Sequence, residues 1–224
     1  MYIALQFVAA IALLAALHVS VMALLGRALG IAIREVSFGM GPTLLAVGAF
    51  RLRALPLGGS VVFKDTLAQT PSGDAADTGA ADAFDHQPRA VRVLLPLCGI
   101  AALAAVAFAL HPGSAGASLA NGFVQIVSGG LAPLSIAQQL INGATRVASL
   151  GFLPLLGMLA AKCAALNLLP LASMGGGQAL LALLDPAPRE TPPWKAWLLQ
   201  ASVWLLLALA LSWAVAIGLF VTGR

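Results

Sequence analysis

The sequence predicts an all-α polytopic membrane protein with about four transmembrane helices, built as a single membrane domain over residues 1–224. Of its residues 60% are hydrophobic and 9% are charged, and the mean hydropathy is +0.96, which excludes an ordinary water-soluble domain. Four apolar stretches are long enough for the roughly 20 residues that a membrane span needs. They cover about residues 2–25, 91–110, 148–171 and 196–221. Between them, local patterns predict a small membrane-associated β-hairpin or sheet and one interfacial amphipathic helix.

The first apolar stretch is predicted to be a retained span. No basic residue precedes it, and it is too long for the apolar region of a typical signal peptide. Most lysines and arginines follow it, before or at the start of the second span, whereas Arg146 alone lies between the second and third spans. Short loops rich in these residues stay in the cytoplasm. We therefore expect both termini to lie outside the cytoplasm, in the bacterial inner membrane.

The segment between the first two spans changes character twice. The stretches "REVSFGMGP" and "AFRLRALPLGGSVVF" alternate with period two, with Arg51 and Arg53 set between apolar neighbours, and this pattern predicts short strands. Residues of about 64–90 are rich in Ala, Asp, Gly, Thr and Pro, which favours a mobile cytoplasmic loop. His86 lies in this loop, where a solvated histidine is expected.

The region before the third span contains a predicted connector and a predicted helix. "HPGSAGASLANGFVQIVSGG" is rich in Gly and Ser and is interpreted as a connector. "APLSIAQQLINGATRVA" places its apolar residues on one helical face, which is typical of an amphipathic helix at the membrane interface.

The third span leads into "NLLPLASMGGGQALLALLDP", where Asn167, Pro170 and three glycines interrupt the apolar run. Irregular backbone at membrane depth is tolerated only where protein buries it or where it lines a wet cavity. This break therefore predicts a site.

Few other residues in the spans carry chemistry. Cys98 and Cys163 lie in apolar runs and are expected to be buried free thiols. Lys162 is costly inside a span, so we expect it to contact either an acidic group of a partner or backbone carbonyls. The basic residues are not interleaved with aromatics in a stripe, which argues against binding to nucleic acid.

Several separated motifs occur in one order along nearly the whole chain. His18 and Gly30 are followed by "VSFGMGP" at 36–42, "LPLGGSVVF" at 55–63, "APLSIAQ" at 132–138 and "NLLPLASMGGG" at 167–177. This order resembles the site-2 protease family of intramembrane zinc metalloproteases. The family carries His-Glu-x-x-His on its first core helix, a Pro-Leu-Gly-Gly strand, and an Asn-Leu-Leu-Pro segment that ends in Asp-Gly-Gly.

The resemblance implies a zinc site held by two histidines and an aspartate, with a glutamate that activates water. This sequence keeps His18, but Val19 stands at the glutamate position, Met22 at the second histidine and Gly175 at the aspartate. A single imidazole does not supply three metal ligands, and valine cannot accept a proton. We therefore expect no catalytic residues and no cofactor, with His18 as the remaining candidate metal ligand.

A second family signature, Gly-Pro-x-x-Asn near the start of the second core helix, is also incomplete. Gly99 is kept, but Ile100 and Leu103 replace the proline and the asparagine. His18 would then be a core histidine that is hydrogen-bonded to a backbone carbonyl or to Asn167.

The function predicted from the resemblance is that of a pseudoprotease, which binds a segment of another membrane protein as adaptor, assembly factor or regulator. Its partners would be a membrane protein or transmembrane peptide segment and the lipid bilayer, with no nucleic acid. In the family a partner segment pairs with the edge of the "PLGG" strand. The candidate binding residues are Gly58, Gly59, Ser60, Lys162, Asn167 and Pro170.

Two alternatives stay open. One is an active intramembrane metalloprotease whose zinc has non-standard ligands. The other is a structural subunit of a larger membrane complex.

Overall fold

The structure is a computed structural model that describes residues 2–66, 81–184 and 193–223. Its elements in chain order are helix α1 (Tyr2–Ala28), strands β1 (Ile33–Val47) and β2 (Phe50–Phe63), and helices α2 (Arg89–Leu110), α3 (Ala115–Leu131), α4 (Ile136–Ser149), α5 (Phe152–Leu168), α6 (Gly175–Leu184) and α7 (Pro193–Thr222). The described chain is mostly helical. The predicted small sheet between the first two spans is confirmed.

Helices α1, α2 and α7 are long and apolar enough to cross a bilayer, and they coincide with the first, second and fourth predicted spans. The chain is therefore an integral membrane protein. The predicted third span corresponds to α5, an apolar helix of 17 residues, which extends roughly 25 Å against a hydrocarbon thickness of about 30 Å. The count of four spans stays a prediction.

Helix α5 forms the centre of the bundle and packs against α1, α2, α3, α4 and α6. Its buried positions are largely small: Gly157, Ala160, Ala161, Ala164 and Ala165. Small residues let helix backbones approach closely where lipid removes most of the hydrophobic drive for association. The core around α5 is completed by leucine and isoleucine side chains of α1 and α2.

The predicted connector at 111–130 is wrong, because most of this region forms helix α3. Its glycines mark helix contacts. A methyl group added to Gly122 would lie 2.6 Å from the Ala165 Cβ, and Trp213 of α7 packs where a side chain on Gly129 would be. The composition that indicated a loop reflects close packing.

Helix α4 confirms the predicted amphipathic helix, although its position at the interface stays a prediction. Helices α3 and α4 both pack against α7. Trp213 Nε1 donates a hydrogen bond to Ile126 O at 3.0 Å, and Gln138 Nε2 donates to Ala216 O at 2.9 Å. Most of α7 is otherwise exposed, as expected for a surface that faces lipid.

Strands β1 and β2 form a two-stranded antiparallel sheet. Ser37 lies opposite Ser60, and Phe38 lies opposite both Gly59 and Leu52, because the strands bend and the register shifts. Gly39 has φ of 89°, and a methyl group there would lie 2.5 Å from Leu55 O. The bend therefore needs glycine, both for its conformation and for its close approach.

The predicted mobile loop of about 64–90 is described only at its ends, because residues 67–80 lie outside the described part. Lys64 has 1% of its surface exposed, and its Nζ donates to Asp82 Oδ1 at 2.9 Å. Phe84 N donates to Lys64 O at 2.7 Å. The hydrogen bond from Lys64 lowers the pKa of Asp82. Both ends of the loop are therefore held against the sheet, and its mobility stays a prediction.

A second contact joins the loop ends. Thr66 N donates to Asp85 Oδ1 at 3.0 Å, and Thr66 Oγ1 lies 3.2 Å from His86 Nε2. Burial opposes ionisation of Asp85, but the hydrogen bonds from Thr66 outweigh it, so the pKa of Asp85 is lowered. The side chain of His86 is half exposed.

Candidate functional site

One face of α1 lies against the sheet. It carries Ala12, Ala15 and Val19, at spacings that place residues on one side of a helix. A methyl group added to Gly59 of β2 would lie 2.7 Å from Val19 Cγ2 and 2.5 Å from Ser37 O. Helix and strand therefore meet closely at Val19, and glycine at 59 makes this possible.

Val19 occupies the position at which the resemblance implies a glutamate. Its side chain is fully buried, with 0% of its surface exposed, and it packs from α1 against Gly59 of β2. An aliphatic side chain in this place excludes water and transfers no proton.

His18, the next residue along α1, faces α2. A methyl group added to Gly99 would lie 2.5 Å from His18 Nδ1, so the glycine leaves space for the imidazole ring. Nδ1 is buried and has no hydrogen-bond partner in the described chain. Among the described residues no hydrogen bond joins His18 to Asn167, whose Nδ2 donates to Cys163 O at 2.9 Å.

Gly175 occupies the position of the third implied ligand and is the first residue of α6. A methyl group added to it would lie 2.7 Å from Pro96 O and 3.0 Å from Ile100 Cδ1. A methyl group added to Gly176 or Gly177 would lie even closer to the backbone of Leu168 or Leu171, respectively. The start of α6 thus packs backbone against backbone, and a side chain at residue 175 would require its neighbours to shift.

The residues present do not fit zinc. Of the three implied ligand positions, only His18 offers a side chain that zinc commonly binds; the other two are Met22 and Gly175. Among the residues that the structure describes, no three His, Cys, Asp or Glu side chains are grouped closely enough to hold a metal ion.

A cleft of about 190 Å³ lies between α1 and the sheet. Its walls are mainly apolar, and Arg53 is the one charged residue among them. The lining residues are Ala12, Ala15, Phe38, Gly39, Leu52, Arg53, Pro56 and Gly58. Of the residues predicted to bind a partner, Gly58 lines this cleft. Sequence reasoning missed Ala12, Ala15 and Arg53, although the two alanines lie in helical phase with Val19.

The other predicted binding residues lie near the cleft or outside it. Gly59 follows Gly58 and contacts Val19, and Ser60 Oγ is hydrogen-bonded to Ser37 Oγ at 2.9 Å. Lys162 faces α3 instead, where its Nζ donates to Ser118 O at 2.9 Å. Of the two contacts expected for Lys162, the structure shows the one with a backbone carbonyl.

Asn167 and Pro170 mark the end of α5, and Pro170 is exposed. The break that follows is tied to α7, because Ala172 N donates to Ser202 Oγ at 2.9 Å. The part of the predicted irregular segment at Ala172 therefore packs against protein, whereas Pro170 does not.

Comparison with known proteins identifies one family. The family model described as "Peptidase family M50" matches residues 6–211, which is most of the chain. None of the curated proteins compared with the chain matches it.

Proposed function

The chain belongs to peptidase family M50, the site-2 protease family, and from this premise we propose that it is a catalytically inactive member. It binds a segment of another membrane protein and acts as adaptor, assembly factor or regulator.

The observation that carries this proposal is the burial of Val19 against Gly59. A hydrolytic site needs a base and a metal-bound water at this place. The chain has an aliphatic contact instead, and Gly175 is packed against the α2 backbone. These two contacts support the proposal, because they fill space that a base and a metal ligand would need.

Binding is supported by the cleft beside the same contact. Main-chain pairing with a strand uses backbone N–H and C=O groups and needs neither metal nor base. Gly58 lines the cleft without a side chain, so a second backbone can come close. A segment held in the cleft would lie beside Val19, where nothing activates water to cleave it.

Site-specific photocrosslinking tests the proposal. A crosslinking amino acid replaces Ser60, which is exposed, rather than Gly58 or Gly59, where a large side chain would fill the cleft or collide with Val19. The matched control carries the crosslinker at Leu211, on the exposed surface of α7. Purification in mild detergent follows, with identification of the attached protein and its length.

We expect residue 60 to capture an intact membrane protein that residue 211 does not capture. Recovery of a protein cut within its captured segment contradicts the claim of inactivity. Capture from residue 211 alone supports a structural subunit instead.

A further inference from the structure

Arg53 is the charged residue of the cleft between α1 and the sheet. Its Nη2 donates to Glu35 Oε1 at 3.1 Å, and the two side chains are 36% and 31% exposed. The guanidinium charge is therefore already compensated by a carboxylate within the sheet.

One donor of this guanidinium is both buried and unpaired. Arg53 Nε is buried and has no hydrogen-bond partner among the residues that the structure describes. Buried donors are nearly always paired in folded proteins, because a desolvated N–H without an acceptor costs free energy. An acceptor is thus expected when the cleft is filled.

The surroundings define the chemistry of that acceptor. A second carboxylate or a phosphate at Nε would lie near Glu35, and like charges repel. A neutral carbonyl oxygen avoids this repulsion. The other walls, including Ala12, Ala15 and Phe38, are apolar and favour uncharged side chains.

We infer that the cleft binds an extended, uncharged apolar segment of a membrane protein and that Arg53 Nε donates to one of its main-chain carbonyl oxygens. This inference rests on the proposed function and specifies its partner. An unwound segment has carbonyls without intrahelical partners, which need donors in an apolar environment. Arg53 is then the residue that recognises the unwound backbone.

The test uses the full chain in vesicles of phosphatidylethanolamine and phosphatidylglycerol, with a photocrosslinker at Leu52, which lines the cleft. The probe is a biotinylated Leu/Ala peptide of roughly 22 residues, long enough to span the bilayer, with Gly-Pro at its centre. A second peptide has a central Asp beside the Gly-Pro.

The Arg53→Lys variant keeps the charge beside Glu35 but has no Nε–H. We expect it to capture roughly ten- to a hundredfold less of the apolar peptide, as loss of a hydrogen bond from a charged donor implies. The matched control is Arg51→Lys on the same strand. Arg51 Nη1 donates to Gly48 O at 2.9 Å in the turn, and capture should change by less than about twofold, since no cleft contact is lost.

A third variant checks the charge argument. Glu35→Gln leaves the charge of Arg53 uncompensated, so it should shift capture towards the Asp peptide. Wild-type protein should prefer the apolar peptide. Gel filtration in detergent verifies that each variant elutes like the wild type.

The outcomes separate the two proposals. Equal capture by Arg53→Lys and wild type, or wild-type preference for the Asp peptide, overturns the inference and leaves the proposed function intact. Adducts with phospholipid alone assign the cleft to lipid and also overturn the inference. Absence of capture of either peptide overturns the inference, whereas the proposed function is decided separately by the crosslinker at residue 60.

Discussion

Substitution of Gly175 tests whether the position at which the resemblance implies a metal ligand is closed by packing. A β-carbon there would lie 2.7 Å from Pro96 O and 3.0 Å from Ile100 Cδ1, well inside the optimal separation of about 3.5 Å. Overpacking of this kind costs about 1–3 kcal/mol. Alanine in place of glycine at a helical position recovers roughly 0.5–1 kcal/mol. Gly175→Ala should therefore destabilise the protein by about 0.5–2 kcal/mol.

Gly175→Asp should cost more, because its carboxylate adds further atoms at a position where a β-carbon alone already collides with Pro96 O. We expect a total of about 2–5 kcal/mol. Thermal unfolding in detergent measures both variants. At roughly 3 °C per kcal/mol for a chain of this size, the melting temperature should fall by about 2–6 °C for alanine and about 6–15 °C for aspartate.

Gly143→Ala in α4 is the matched control, since a methyl group there has no neighbour within 4 Å. It should leave the melting temperature unchanged or raise it slightly. If Gly175→Asp unfolds at the wild-type temperature, the space at residue 175 is open, and the argument that packing closes the site is refuted.

Three further predictions concern separate contacts. Val19→Glu places a carboxyl group in a fully buried apolar contact and should lower the free energy of unfolding by about 2–4 kcal/mol in denaturant titration; an unchanged midpoint would show that water reaches this residue. Asp82→Asn removes the ion pair with Lys64, so hydrogen–deuterium exchange around Lys64 should be faster than in wild type at neutral pH. The pKa of Asp82 is lowered in the folded state. The stabilisation by this ion pair is therefore present above the unfolded pKa of about 3.9 and is lost as pH falls through the folded value. If Asp82→Asn still exchanged faster than wild type well below this range, the ion pair would not be the cause. Ser202→Ala leaves the N–H of Ala172 without its acceptor and should cost about 1–3 kcal/mol, whereas Ser202→Thr, which keeps the hydroxyl, should lose less in the same thermal assay.

The long helices and the sheet could be predicted from the sequence because their signals are local. The apolar runs of α1, α2 and α7 are long enough to cross the bilayer, and the alternation around Arg51 and Arg53 has the period of a strand. Helix α3 could not be predicted in this way. Its glycines at 122, 129 and 130 contact α5 and α7, and composition does not distinguish a packed glycine from a flexible one.

The candidate site was partly predictable for a similar reason. The order of motifs identified the family, and the assignment of His18, Val19, Met22 and Gly175 to its catalytic positions stays a prediction from the resemblance. Contacts between distant segments carry no local pattern, so the approach of Val19 to Gly59 and the cleft itself required the structure. The buried Nε of Arg53 could not be foreseen either, because a strand pattern indicates which residues alternate but not which donor lacks an acceptor.

The zinc content of the purified protein distinguishes an inactive member of the family from an active one. Wild type and His18→Ala are purified in parallel after growth with added zinc, and metal per chain is measured by mass spectrometry. We predict far less than one zinc per chain, with no difference between the two proteins. A stoichiometric zinc that is lost in His18→Ala would contradict the account.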